Sequence, residues 1–369
     1  MDSILPIIPI FLCPFIITLS LIYPIKKLAY SLDLVDYPDR APHTSHTDPK
    51  PYGGAIAIAL GVSLSLFLLL PEITRLLPGL VGNDAPWSLS VIWLFTEFQA
   101  EYTSIGPLLF CCFVIVVIGL IDDLRGLSPF IRFIIQLTTA LSLIISQPIF
   151  CLNLSEIPFI DIATTALWIV LLTNAFNFLD NMDGLSAGLG AICSVFIGYM
   201  GLLVGDFSSA FLAFILFGSL CGFLVFNLPP ASIYLGDAGG LGLGFMIGAL
   251  TVRLTHMNPI SFDPILQISP LFIVSIPVYD VITVTLIRLK SGKPPWIGDK
   301  NHVSHRLVSH GLSKKNTILI LYSILFLLSI PSLLSIHPSG NIQWLWITPV
   351  TIAILSCFDL YKSHIIFPK

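Results

Sequence analysis

Charge is what this sequence has least of. Charged residues fill 10% of its 369 positions, where a soluble domain carries about a quarter, so a water-facing globular domain is excluded. The net charge of −4 says little about partners, because placement matters more than the sum, and no nucleic-acid partner is expected. Seven cysteines lie in apolar stretches with no CxxC spacing and one adjacent pair, Cys111–Cys112. An odd, unpatterned set reads as small core residues, not as a disulfide framework or a metal site. Internal repeats and low-complexity tails are missing too, so residues 1–369 read as one integral domain. The first apolar run, 4–25, lacks the basic leader of a signal peptide: Asp2 is its only early charge, and Lys26–Lys27 follow it. That pattern reads as an uncleaved span with the amino terminus outside.

What is present is apolar residue in long runs. Hydrophobic residues make up 55% of the chain and the mean hydropathy is +0.92. Crossing a hydrocarbon core of about 30 Å takes roughly 20 apolar residues. Eleven segments qualify: 4–25, 53–71, 105–121, 128–147, 161–177, 185–205, 208–226, 236–254, 265–288, 316–335 and 342–360. The short apolar stretch Trp87 to Phe98 is expected at the interface. With the amino terminus outside, 15 of the 17 Lys and Arg residues fall in inner segments, and only Arg75 and Arg253 fall outside. This asymmetry predicts an all-α, polytopic bundle of about 11 transmembrane helices, amino terminus outside and carboxyl terminus cytoplasmic. The same map places Asp122, Asp123, Asn177, Asp180, Asp183, Asp237, Asp299, His302 and His305 on the inner side, at four different loops.

Four polar runs carry the chemistry. Asp122 and Asp123 end a span; about 100° apart on a helix, one can face a site while the other holds local structure. A carboxylate there can take a proton from a phosphate or attract a divalent cation, or simply solvate a helix end. Asn174, Asn177 and Asp180 step by three along one helix face, and amides at that depth need partners; Asp183–Gly184 then supplies a turn. In the run 227–244, Asp237 offers an oxygen ligand. Gly239 and Gly240 would let a diphosphate reach backbone N–H groups at a helix start, while Gly242 and Gly244 suit close helix packing. In 299–307, His302, His305 and Arg306 suit anionic oxygens, and the two histidines lack the partners a zinc site would need. Lys50 is a candidate phosphate contact or an interface anchor. Asp280, inside the ninth span, is either functional or paired with another helix.

In this order the runs resemble the polyprenyl-phosphate N-acetylhexosamine-1-phosphate transferases of glycosyltransferase family 4, over nearly the whole chain. The resemblance is closer to the UDP-GlcNAc:undecaprenyl-phosphate GlcNAc-1-phosphate transferase branch, which primes O-antigen, enterobacterial common antigen or wall teichoic acid. The branch that uses a MurNAc-pentapeptide donor has three consecutive histidines, absent here. Two positions depart from the family pattern: Ser304 replaces the middle histidine of His-x-His-His-Arg-Leu, and Asn181 stands where many relatives have glycine. The resemblance implies a UDP-sugar donor, an undecaprenyl phosphate acceptor within membrane lipid, and Mg²⁺, with Mn²⁺ as an alternative. It further implies a multi-pass protein of the bacterial cytoplasmic membrane with its site facing the cytoplasm, and it leaves a homodimer open. The implied roles are Asp122, Asp123 and His305 as catalytic, with Asp122 favoured as the group that deprotonates or positions the lipid phosphate. Asp237 and Asn177 would hold metal, and Lys50, Asn174, Asp180, Asp183, Gly239, His302 and Arg306 would bind substrate. A transporter is the alternative from another class, but its polar sites would be expected near the bilayer midplane.

Overall fold

Apolar runs that cannot leave backbone N–H and C=O groups bare in lipid close them internally as helices, and helices are almost all this chain contains. The computed structural model describes residues 7–38, 48–69, 86–257, 269–294, 296, 299–336, 343 and 346–353. Helix α1 runs Ile7–Ser31 and leads to a hairpin of β1 (Val35–Asp36) and β2 (Lys50–Pro51). Then follow α2 (Gly54–Leu69), α3 (Pro86–Arg125), α4 (Pro129–Ser146), α5 (Pro158–Leu179), α6 (Leu185–Val204), α7 (Phe207–Asn227) and α8 (Gly236–Met257). The chain continues through α9 (Ser275–Lys290), the short α10 (Val303–Ser309) and α11 (Lys314–Ile336). Among the described residues nine helices are long and apolar enough to cross a membrane, and α2 is a shorter apolar helix. The protein is an all-helical, polytopic membrane protein.

The first ten expected spans each coincide with a helix; the eleventh, 342–360, extends outside the described residues, as does Arg75. One expectation is corrected. Trp87 to Phe98 is not a separate interfacial piece but the start of the 40-residue α3. No glycine or proline interrupts 88–105, and the helix runs on through Gly106 and Pro107 into the span.

Helix α8 is the axis of the bundle and is buried along its length, packed against α3 and α5. Glycine allows that closeness. A Cβ on Gly119 of α3 would lie 2.4 Å from the Ala238 Cα, and one on Gly240 would lie 2.8 Å from the Asn177 Cα. Bare backbone at these two crossings draws the carboxyl ends of α3 and α5 onto the amino end of α8. At the other end of α8, Arg253 is not in an outer loop, as its position in the sequence suggested. It lies inside the helix, 1% exposed, in an ion pair with Asp206 at 3.0 Å.

Candidate active site

The site is built on the first turn of α8. A helix start leaves backbone N–H groups without intrahelical partners, and here two other segments supply acceptors. Asp123, at the end of α3, accepts from the N–H of Asp237 at 2.8 Å and of Ala238 at 3.1 Å. Asp180, just past α5, accepts from the N–H of Gly236. Carboxylates thus hold the N–H groups of Gly236, Asp237 and Ala238. Gly239 is buried against Leu235 and Ala55.

Asp237 itself projects from this capped turn. Its Oδ1 accepts the Asn177 amide N–H at 2.6 Å, and its Oδ2 has a long 3.5 Å contact with Arg132. Its side chain is 36% exposed, against 4% for Asp122. Asp122 accepts from Arg132 at 2.5 Å and from the Leu127 N–H at 2.6 Å. Both members of the aspartate pair thus have protein partners, Asp123 on the α8 backbone and Asp122 on Arg132 and the Leu127 N–H. Burial first, and then the charges of Asp237 and Asp123, push the Asp180 carboxyl well above the ordinary carboxylate range. Asp122, Asp123, Asp180 and Asp237 gather with Arg132 as the cation bonded to two of them, and that excess of anionic oxygen suits a hard divalent cation. Among the described residues no three His, Cys, Asp or Glu side chains are arranged to hold a metal by themselves.

The other residues singled out in the sequence divide. Asn174 has its partners, as amides at that depth require: its amide donates to Gln136 at 2.6 Å and to the Val170 carbonyl at 2.8 Å, tying α4 to α5. Asp183 accepts from the Ala231 N–H at 2.9 Å, and Gly184, with φ of 77°, makes the expected turn. Asn227 fastens that turn by accepting from the Gly184 N–H at 3.0 Å. Lys50 lies in the hairpin opposite Asp36. Beside it, Tyr234 N–H donates to the Pro51 carbonyl and Gly54 N–H to the Tyr234 carbonyl, stitching the hairpin to the loop before α8. Burial, and then the charges of Asp36, Asp123, Asp237 and Asp180, push the Tyr52 phenol up, so Tyr52 stands in the field of the carboxylates.

The histidine loop is a second cluster. His302 is buried; its Nδ1 lies 2.7 Å from Asp280, and its Nε2 lies 3.5 Å from Arg288. Arg306 is buried on the Asn301 carbonyl and the Thr283 hydroxyl. Both have the protein partners that buried polar groups require. Arg288 also grips Asp299 through two N–H groups at 3.1 Å. Burial opposes the charge of Asp299, but Arg288 and Asn301 outweigh it and hold the carboxyl below its usual range. His305 is half-buried, and among the described residues no hydrogen bond engages its ring. Burial, then His302, Lys300 and Lys314, lower its pKa.

The two clusters are joined. The Arg288 guanidinium lies 5.7 Å over the Phe178 ring, and the Ser304 hydroxyl donates to the Asn181 Oδ1 at 2.7 Å. Ser304 and Asn181 are the two positions that depart from the family pattern, and they bond to each other. In a double-mutant cycle, Ser304→Ala and Asn181→Gly should each lower the melting temperature and combine less than additively. The coupling should be about 1 kcal/mol. Strict additivity in thermal unfolding of the detergent-solubilised variants would count against the bond.

Comparison with known proteins follows this geometry. A model of glycosyl transferase family 4 matches residues 105–255. A Bacillus subtilis (strain 168) protein named "Probable undecaprenyl-phosphate N-acetylglucosaminyl 1-phosphate transferase" is 30% identical over 352 residues, covering 93% of this chain and 87% of that protein. The chain belongs to glycosyl transferase family 4. Two further relatives are the decaprenyl-phosphate N-acetylglucosaminephosphotransferase of Mycobacterium tuberculosis (strain ATCC 25618 / H37Rv) and the undecaprenyl-phosphate alpha-N-acetylglucosaminyl 1-phosphate transferase of Yersinia pestis. The first is 31% identical over 336 residues, covering 83% of this chain and 77% of that protein. The second is 23% identical over 358 residues, covering 92% and 87%. The stretch matched by the family 4 model contains every carboxylate around the start of α8 and ends before Asp280 and the histidine loop.

Arg132 is the residue of this family 4 site that the sequence reading missed. It was counted only as an inner positive charge. The available signal was its place in the first turn of the helix after the aspartate pair, which lets it fold back onto Asp122.

Proposed function

We propose that this chain transfers N-acetylglucosamine-1-phosphate from UDP-GlcNAc to undecaprenyl phosphate, releasing UMP, at the cytoplasmic face of a bacterial membrane, and so initiates a cell-envelope polysaccharide. The observation that carries this reading is the gathering of Asp123, Asp180 and Asp237 with Arg132 on one helix start, in a chain whose relatives bear those names. The bias of basic residues toward the same side supports an orientation with eleven spans, amino terminus outside and the site inside.

The reaction joins an oxygen of the polyprenyl phosphate to the sugar-bearing phosphorus of the donor. The bond from that phosphorus to the bridging oxygen breaks, and UMP leaves with the electron pair. A phosphate monoester loses its second proton with a pKa of about 6, so the acceptor is already largely dianionic at neutral pH and needs no dedicated base. The remaining difficulty is to bring two anions together, which positioning and charge neutralisation overcome. Asp237 would hold Mg²⁺ (or Mn²⁺), with Asn177 orienting that carboxylate by its N–H; bound there, the ion would neutralise diphosphate charge. Asp122 steadies Arg132 at the rim, where its guanidinium can meet a phosphate oxygen. His305, next to Ser304, would donate an N–H to phosphate. Asp180 and Asp183 shape the turn that faces the nucleotide.

The test is UMP release by the purified chain in detergent with undecaprenyl phosphate and either UDP-GlcNAc or UDP-MurNAc-pentapeptide. Release with UDP-GlcNAc alone, lost on EDTA treatment and restored by Mg²⁺, is the expected result. Release only with the pentapeptide donor would keep the reaction and overturn the donor. No release with either donor, from folded protein, would overturn the transferase reading.

A further inference from the structure

Asp280 has no place in the chemistry above, yet a carboxylate fully buried in a membrane span is retained only with strong partners. It is 0% exposed within α9, and both its oxygens are used. Oδ2 meets His302 Nδ1 at 2.7 Å and Oδ1 accepts from the Val303 N–H at 2.6 Å. We propose that Asp280 is a positioning residue for the transfer: it locks His302 in one tautomer, fixes the first turn of α10, and thereby sets where His305 stands at the site. This inference rests on the function proposed above.

The tautomer follows from the two neighbours. An ionised carboxylate only accepts, and an arginine only donates. With Asp280 on Nδ1 and Arg288 on Nε2, the ring must carry its proton on Nδ1 and turn its lone pair to Arg288. The imidazole therefore bridges a helix carboxylate and a helix guanidinium, with Phe178 beside it at 5.9 Å. Both ring nitrogens are occupied, so His302 is not the histidine that touches substrate. His305, three residues on, is carried by the same short helix, and Ser304 between them is bonded to Asn181 next to Asp180. A shift at Val303 would move this whole segment against the carboxylate cluster, and a misplacement of about 1 Å can cost 10²-fold in rate.

Asp280→Asn tests this with almost no change in shape. Its carboxamide can still accept from Val303 but must present either an oxygen to both groups in turn or an N–H to the lone-pair side of a flipped ring. That flipped tautomer then sets an N–H against Arg288. The expected result is a fall in kcat of about 10–100-fold with KM for UDP-GlcNAc within about twofold. In the His302 series, His302→Asn, which keeps a donor toward Asp280, should retain several times the kcat of His302→Ala. An activity-independent reading is amide exchange of the 302–309 peptide, expected to speed up at least tenfold in Asp280→Ala. A merely space-filling role would leave the order of His302→Asn and His302→Ala unaffected. Asp280→Asn within twofold of wild-type kcat, or equal His302 variants with unchanged exchange at 302–309, would overturn the proposal. If the wild-type chain releases no UMP, the function reading fails by itself, and the exchange measurement still decides whether Asp280 fixes α10.

Discussion

Asp237→Ala should lose at least 10²-fold in turnover and keep its fold. The two parts of this expectation have separate causes. Asp237 is the carboxylate that projects from the capped start of α8, with 36% of its side chain exposed, so truncating it opens no cavity in the core. The N–H groups around it are held by Asp123 and Asp180, whose bonds to the α8 backbone do not depend on the Asp237 side chain. The chemical loss is large because removal of one group that stabilises transition-state charge typically costs about 10²–10³ in rate. The measurement is UMP release across a Mg²⁺ titration, beside the melting temperature in detergent. A loss below tenfold, or activity regained fully at high Mg²⁺, would remove Asp237 from its proposed role.

The second large effect is in stability, at the far end of the same helix. Arg253 donates from Nε and Nη2 to Asp206 at 3.0 Å, with exposures of 1% and 0%, and its guanidinium lies 5.6 Å over the Phe150 ring. Asp206 also caps α7, accepting from the Ser209 N–H and hydroxyl. Removing one partner of a buried pair strands the other charge, at a cost of about 3–5 kcal/mol. Arg253→Met should therefore melt far below the wild type, and Asp206→Asn should do the same by leaving the guanidinium uncompensated. Sixteen residues of helix separate Arg253 from Asp237, about 24 Å at 1.5 Å per residue, so UMP release per folded molecule should change little. Variants that melt with the wild type would show that the pair contributes nothing measurable. A selective loss of kcat would show a long-range coupling instead.

The contrast between these two residues shows what the sequence made legible. Runs of about 20 apolar residues located ten helices, because the period of hydrophobicity is imposed by lipid and needs no tertiary information. Asp237, Asn177, Asp180 and the aspartate pair were identifiable because polar groups are scarce in such a chain, so each one stands out. Their partners were not identifiable. Whether Asp123 or Asp122 faces the cluster depends on how α3 rotates against α8, and Gly119 sets that contact across a gap of more than 100 residues. Asp280 was visible as an anomaly, but its histidine lies beyond the end of the helix, on a segment with no periodicity to orient it. Arg253 looks like the outer end of a span because charge ordinarily marks one; its pairing with Asp206 lets that charge lie inside a helix that runs on to Met257. Trp87 to Phe98 misled for the opposite reason, since its length fell short when it was separated from the span it extends.

The bonds that Asp122 and Asp123 accept from N–H donors change how mutagenesis of this protein should be read. Asparagine is usually chosen as the mild replacement for aspartate because it keeps the shape and deletes the charge. At position 123 it also replaces half of an acceptor pair with a donor, facing backbone N–H groups that cannot turn away. A loss of activity in such a variant would report a misplaced helix as readily as a missing proton carrier. Alanine at that position deletes both acceptors and leaves the two N–H groups bare, so a loss of activity in either variant has to be read beside its melting temperature.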